Sequence, residues 1–215
     1  MEPECGPTWS ALATLHCQMY TFDAPGFDRP LETALEDAPR GVLLEPGPQL
    51  GRLILAYACE RADDSDRFDE EIGTALALNP NSPYTVGTAG YLHVVSGDFE
   101  RGLPLLDSAI AANPCHPSWF HGAYVVDCLH QQNCEDAVIE VQRHSPFQSF
   151  WLPVASAAIL AKLGRIDEAK TYIEDVVAHK PDCAARAHEL MWRTLKVDAV
   201  IDDLIGGLRS AGLSG

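Results

Sequence analysis

Six potential metal ligands, Cys115, His116, His121, Cys128, His130 and Cys134, fall within one twenty-residue stretch. Thiolate sulfur with imidazole nitrogen is the donor set that zinc prefers. The spacing argues against a site, because closed zinc centres draw on closely spaced cysteine pairs and none occurs here. Cys128 falls inside an expected helix and Cys115 precedes it. The stretch therefore predicts no metal, with Cys128 in the core and His116 and His130 in water. A second cluster, Asp63-Asp64-Ser65-Asp66-Arg67-Phe68-Asp69-Glu70-Glu71, supplies carboxylate oxygens, which hard cations seek. It lacks the glycine and the ligand spacing of a calcium loop, and acids are favoured at a helix start by the helix dipole. It reads as a solvated turn opening a helix. No Gly-rich phosphate loop, Gly-x-Ser-x-Gly, His-Glu-x-x-His or dinucleotide fingerprint is present, and no local signature groups Ser, His and Asp into a triad. The expectation is a non-enzyme with no cofactor.

Composition narrows the classes further. Among 215 residues, Lys and Arg total 15 against 31 Asp and Glu, a formal charge of -16, while the apolar fraction is 47%. That apolar content predicts a folded chain rather than an acidic disordered tail. A surface this acidic repels phosphate backbones and anionic headgroups, so nucleic acid and membrane are not expected partners, and a basic one is favoured. No stretch approaches the ~20 apolar residues that span a bilayer. The start, Met1-Glu2-Pro3-Glu4-Cys5, lacks the basic and apolar regions of a secretory signal. Seven scattered cysteines suit reduced thiols better than a disulfide framework, and the expected compartment is the cytoplasm.

The elements that would position any site come from a repeat. Ala75-Leu-Ala-Leu-Asn-Pro80 returns as Ala109-Ile-Ala-Ala-Asn-Pro114, a shift of 34 residues, and the same phase runs back to Pro46. Proline cannot donate the next backbone hydrogen bond, so an amphipathic helix stops before each. Between Pro80 and Pro114 two helices are predicted, Pro83 to about Ser96 and about Glu100 to Ala112. Gly97 permits the turn between them, and Gly90 and Gly102 stand where they would cross. Leu106 and Ala109 supply the facing apolar stripe. The grammar repeats with Ala157, Gly164, Ile166, Ala169 and Pro181.

A helix-turn-helix of this period, with small residues at the crossing, Gly-Asp-aromatic at the turn and Asn-Pro at the end, resembles the tetratricopeptide repeat (TPR). The resemblance implies an all-α, right-handed superhelical solenoid of about five repeats over 5–46, 49–82, 83–116, 117–148 and 150–182, with C-terminal capping helices in 183–215. The other units depart from the pattern. About ten residues are inserted at the turn of unit one, Phe68 stands at a crossing where the family has a small residue, and Pro146 shortens the second helix of unit four. The chain is also similar to the repeat region at the C-terminal end of bacterial class III nucleotide cyclases and winged-helix regulators. That likeness rests on Arg67-Phe68, Asn79-Pro80-Asn81-Ser82-Pro83, Phe150-Trp151 and Asp203 to Leu213.

In the TPR fold the first helix of each pair lines a concave wall. The register places Leu53 and Tyr57 there from unit two, and Tyr84, Thr88, Tyr91 and Val95 from unit three. Trp119, Val126 and His130 follow from unit four, and Trp151 and Lys162 from unit five. The wall is apolar and aromatic, which implies a protein or peptide guest. One subclass of the family grips a C-terminal carboxylate with lysine, asparagine and arginine. Here Arg52, Arg61 and Lys162 lack the matching asparagines, so that mode is not expected. The alternative role is self-association into homo-oligomers through the terminal units.

Overall fold

The computed structural model describes residues 4–144 and 150–214. Among them the regular elements are helices: α1 (Gly6–Thr21), α2 (Pro30–Leu44), α3 (Gln49–Arg61), α4 (Ser65–Leu78), α5 (Pro83–Val95), α6 (Phe99–Ala112), α7 (His121–His130), α8 (Cys134–Arg143), α9 (Trp151–Lys162), α10 (Ile166–His179), α11 (Cys183–Trp192) and α12 (Asp198–Ser210). A 3-10 turn over Ser118–Phe120 precedes α7. The ten helices α1 to α10 form the five expected hairpins. Pro146 lies outside the described residues.

Local chemistry sets the helix ends. Pro83 takes the first position of α5, where its missing N–H costs nothing, and the Ser82 hydroxyl accepts the Thr85 N–H at 3.3 Å. Within the acidic run, the Asp64 carboxylate accepts the Arg67 N–H at 3.2 Å and so caps α4. Asn133 caps α8 in the same way through the Asp136 N–H at 3.2 Å. Each hairpin turn from the second to the fifth passes through the left-handed region at the same point: Asp63 (φ 59), Gly97 (φ 92), Gln132 (φ 58) and Gly164 (φ 75). Glycine marks two of these turns in the sequence, whereas Asp63 and Gln132 take up the strain unannounced. Not every proline ends a helix, since Pro39 lies inside α2 and Pro104 inside α6.

The contacts divide the chain into two compact units, Met1–His93 with Glu100–His116, and Val94–Phe99 with Pro117–Gly215. The helices α11 and α12 thus share a unit with α7 to α10.

In the first unit the core is built on small residues where helices cross. Ala13, Ala34, Ala38, Ala56 and Ala75 are fully buried beside Leu55, Phe68 and Ile72. Phe68 is accommodated at its crowded position in a T-shaped arrangement with the His93 ring, centroids 5.2 Å apart. A Cβ added at Gly90 would lie 2.7 Å from the Gly102 carbonyl oxygen and 2.8 Å from the Leu106 nitrogen. In the second unit, Ala123, Ala137, Ala157, Ala158 and Ala169 are likewise fully buried.

Gly90→Ala forces two backbones apart and is expected to cost about 1–3 kcal/mol, as overpacking does. Gly73→Ala, at an open position in α4 with no atom near its added Cβ, is expected to stabilise by up to about 1 kcal/mol through helix propensity. Chemical denaturation of the two variants checks both signs.

Candidate binding surface

The first helices of the hairpins are nearly free of charge. Neither α1 nor α5 contains Asp, Glu, Lys or Arg; α3 contributes Arg52, Glu60 and Arg61, α7 contributes Asp127 and α9 contributes Lys162. Each of these is already engaged. Arg52 Nη1 donates to both oxygens of Glu71 at 2.8 and 3.1 Å, Arg61 pairs with Glu60, and Lys162 pairs with Asp203. Asp127 accepts from the Gln131 side-chain amide at 2.9 Å. The three cations of the first-helix wall therefore carry their own carboxylates.

On the first unit, Leu53, Tyr57, Glu60 and Arg61 recur at helical spacing and share one face of α3. Leu53 is 3% exposed and belongs to the core, so it offers no surface to a guest. This corrects its expected place on the wall: its side chain is enclosed by the hairpin packing. Tyr57 is half-buried, and its hydroxyl shares a hydrogen bond with the Thr21 hydroxyl at 3.2 Å. Arg61 is 2% exposed; its Nε donates to Thr21 Oγ1 at 3.2 Å and its guanidinium lies over the Tyr57 ring, 4.8 Å from the centroid. Burial opposes the Arg61 charge, yet Glu60, then Tyr57 and Tyr91, hold its pKa above the ordinary value. Burial also raises the Tyr57 phenol and lifts Tyr91 to about 12 against the lowering effect of Arg61, so both stay neutral.

Thr21 and Glu60 were not among the residues expected here. The signal for Glu60 was its phase, seven residues after Leu53 on the same face. Charged residues at a helix end read as solvated, and that masked it.

On α5 the side chains of Thr85, Val86, Ala89, Leu92, His93 and Val94 are buried. Tyr84, Thr88 and Tyr91 remain as one partly open stripe, with Tyr84 49% exposed and Thr88 donating its hydroxyl to the Tyr84 carbonyl at 2.7 Å. Leu50, at the start of α3, is 47% exposed. The first unit also holds a shallow cleft of about 480 Å³ between α4 and α6, crossed by an Arg101–Asp69 pair at 3.0 Å. It lies between second helices and is separate from the expected wall.

The second unit holds the other expected residues. Val95 is 1% exposed and corrects the expectation as Leu53 does, because its backbone and side chain are covered by the chain itself. Trp119 stands on the 3-10 turn, edge-on to Phe120 at 4.5 Å, instead of within an α-helix. Val126 is half-buried and His130 is exposed, its ring stacked on Phe99 at 4.4 Å. Trp151 is half-buried, edge-on to Phe150 at 5.5 Å, with its indole nitrogen buried and without a hydrogen-bond partner among the described residues. Lys162 also donates to the Gln132 side-chain carbonyl at 3.1 Å.

Among the described residues no group of three or more His, Cys, Asp or Glu is placed to hold a metal. His121 instead pairs with Glu140 at 2.7 Å, and Cys115 is exposed. Burial raises the thiols of Cys17 to about 12 and of Cys59, Cys128 and Cys183 to about 11, which keeps them protonated and unreactive near neutral pH. Among the described residues no helix is long and apolar enough to cross a membrane.

No protein-family model matches the chain, and no curated protein matches it. Solved structures do. A chain in the crystal structure of the APC/C hetero-tetramer Cut9-Hcn1 matches with a TM-score of 0.69 at 14% identity, over 99% of this chain and 41% of that one. The present chain thus spans less than half the length of that structure's chain. A thermophilic TPR protein of Thermus thermophilus matches with a TM-score of 0.60 at 17% identity, over 86% of this chain and 98% of the other. At such identities the likeness establishes the fold: an all-α solenoid of TPR-type helix hairpins.

Removing Arg61 strands a buried carboxylate. Arg61→Ala is expected to cost about 3–5 kcal/mol, and replacing both partners by apolar residues (Glu60→Leu with Arg61→Met) to recover most of that loss. Denaturant midpoints of the single and double variants measure it.

Proposed function

We propose that the chain is a protein-interaction module that takes a peptide or protein segment on the first-helix face of its first unit. The observation that carries this reading is the open stripe of Tyr84, Thr88 and Tyr91 on α5, a helix otherwise buried and without Asp, Glu, Lys or Arg. Aromatic side chains with one polar end give large contact area at low entropy cost, which is why such residues anchor interfaces. The TPR-type fold supports it. Tyr57, Trp119, Val126, His130, Trp151 and Lys162 remain candidate contacts on their respective units, and the reading is non-enzymatic. The net charge of -16 favours a basic segment as guest. The similarity to the C-terminal repeat region of cyclases and winged-helix regulators extends the reading to a docking or regulatory part of a signalling protein in the cytoplasm.

A second reading, self-association, draws on the first hairpin and the start of α3. There Leu43 is 81% exposed and Phe27, Leu44 and Leu50 are each more than 40% exposed.

Peptides selected against the full chain from a random library test the first reading. Tyr84→Ala is expected to weaken the selected peptides at least about tenfold with an unchanged melting temperature, as loss of an interface anchor does. Selection that yields only peptides indifferent to Tyr84 discards this surface. Sedimentation equilibrium of the unmodified chain tests the second: Leu43→Glu is expected to shift any dimer toward monomer, and a monomer at every concentration rejects it.

A further inference from the structure

On α9, Pro153, Val154 and every residue from Ser156 to Ala161 are buried. A helix that is apolar all round needs neighbours on all sides. The flanking α8 and α10 supply two of them, and α12 packs along α9 as the third and reaches α7. α12 buries one stripe, Val200, Ile201, Leu204, Gly207 and Leu208, and leaves Asp202, Gly206 and Arg209 outside. Its closest approach is at Gly207, where an added Cβ would lie 2.7 Å from the Ala158 carbonyl oxygen and 2.8 Å from its Cα. One turn earlier Asp203 meets Lys162. The lead-in segment is also held, since the Lys196 N–H donates to the Val95 carbonyl at 2.7 Å.

Two residues expected to receive a guest, Val95 and Lys162, thus receive the chain's own residues 196–203. An amphipathic helix laid on apolar first helices, fixed by one acid and one glycine four residues apart, is a helix-in-groove complex formed in cis.

We propose that the α7/α9 wall is a seat for an amphipathic helix with an acidic residue followed four residues later by glycine, that α12 is its resident occupant, and that a partner protein's helix of the same pattern enters by displacing α12. The acid answers Lys162 and the glycine answers Ala158. A short tether gives the resident helix an effective concentration in the millimolar range, so a partner binds well only when α12 is loosened. This rests on the interaction-module reading but concerns a different surface from Tyr84.

The probe is a fluorescent synthetic peptide of residues 195–213, titrated into the full chain. Gly207→Leu in the chain unseats α12 and is expected to tighten peptide binding at least about tenfold over the unmodified chain, because the tethered competitor is gone. Adding Lys162→Glu to that variant reverses the gain, a peptide carrying Gly207→Leu does not bind, and Tyr84→Ala leaves the affinity unchanged. Equal affinity for the unmodified and Gly207→Leu chains overturns the proposal. Hydrogen exchange on the unmodified chain decides the case where Gly207→Leu does not fold. α12 amides exchanging at least about tenfold faster than those of α9 support an exchangeable occupant, and equal rates make α12 a permanent part of the core and overturn it.

Discussion

Two helix backbones can lie against one another only where side chains are small or absent, and this chain meets that constraint with glycine and alanine, the buried Phe68 of the second hairpin standing apart. Gly90 faces Gly102 and Leu106 at less than van der Waals distance for any added carbon, and Ala13, Ala38, Ala123, Ala137, Ala157 and Ala169 in other hairpins have no exposed surface. Close approach excludes water from the crossing and fixes the rotation of each helix about its axis. That rotation decides which residues of α3 and α5 face the core and which remain at the surface. The partly open stripe on α5 is what remains once the crossing at Gly90 is set.

The charges follow from the same geometry. Second helices have an outer face and carry most of the acids, while first helices are enclosed and nearly neutral. Where a charge does enter the enclosed side it comes with its counter-ion. The Glu60–Arg61 pair lies against the Tyr57 ring and beside Thr21, whose hydroxyl hydrogen-bonds both Tyr57 and Arg61. Such a cluster adds little net stability over an apolar core, but it penalises any packing in which one member is left alone. It restricts the relative rotation of α1 and α3 more than it strengthens them.

Much of this architecture was legible in the residues. The 34-residue shift located the hairpins, and the turns at Gly97 and Gly164 and the crossing at Gly90 were visible because glycine has few other reasons to recur at those points. The turns at Asp63 and Gln132 were not, since a left-handed residue without glycine leaves no compositional trace. The candidate surface was legible only as a face. Helical phase brought Leu53, Tyr57, Tyr84 and Tyr91 together, but phase cannot tell an open position from a covered one, and Leu53 and Val95 proved covered. The seat of α12 escaped for a related reason. Repeat logic extends a stack outward, whereas burial of the apolar remainder of α9 is a three-dimensional demand that no local spacing announces. The Gly206-Gly207 pair was its one trace.

The contact of Gly207 with Ala158 carries an evolutionary consequence. A carbon added at Gly207 would meet the Ala158 carbonyl oxygen at 2.7 Å and its Cα at 2.8 Å, atoms that every residue type carries, so no substitution at position 158, 49 positions away in the chain, makes room for a larger residue at 207. Drift at position 207 is therefore closed for as long as α12 keeps this packing, whatever residue stands at 158.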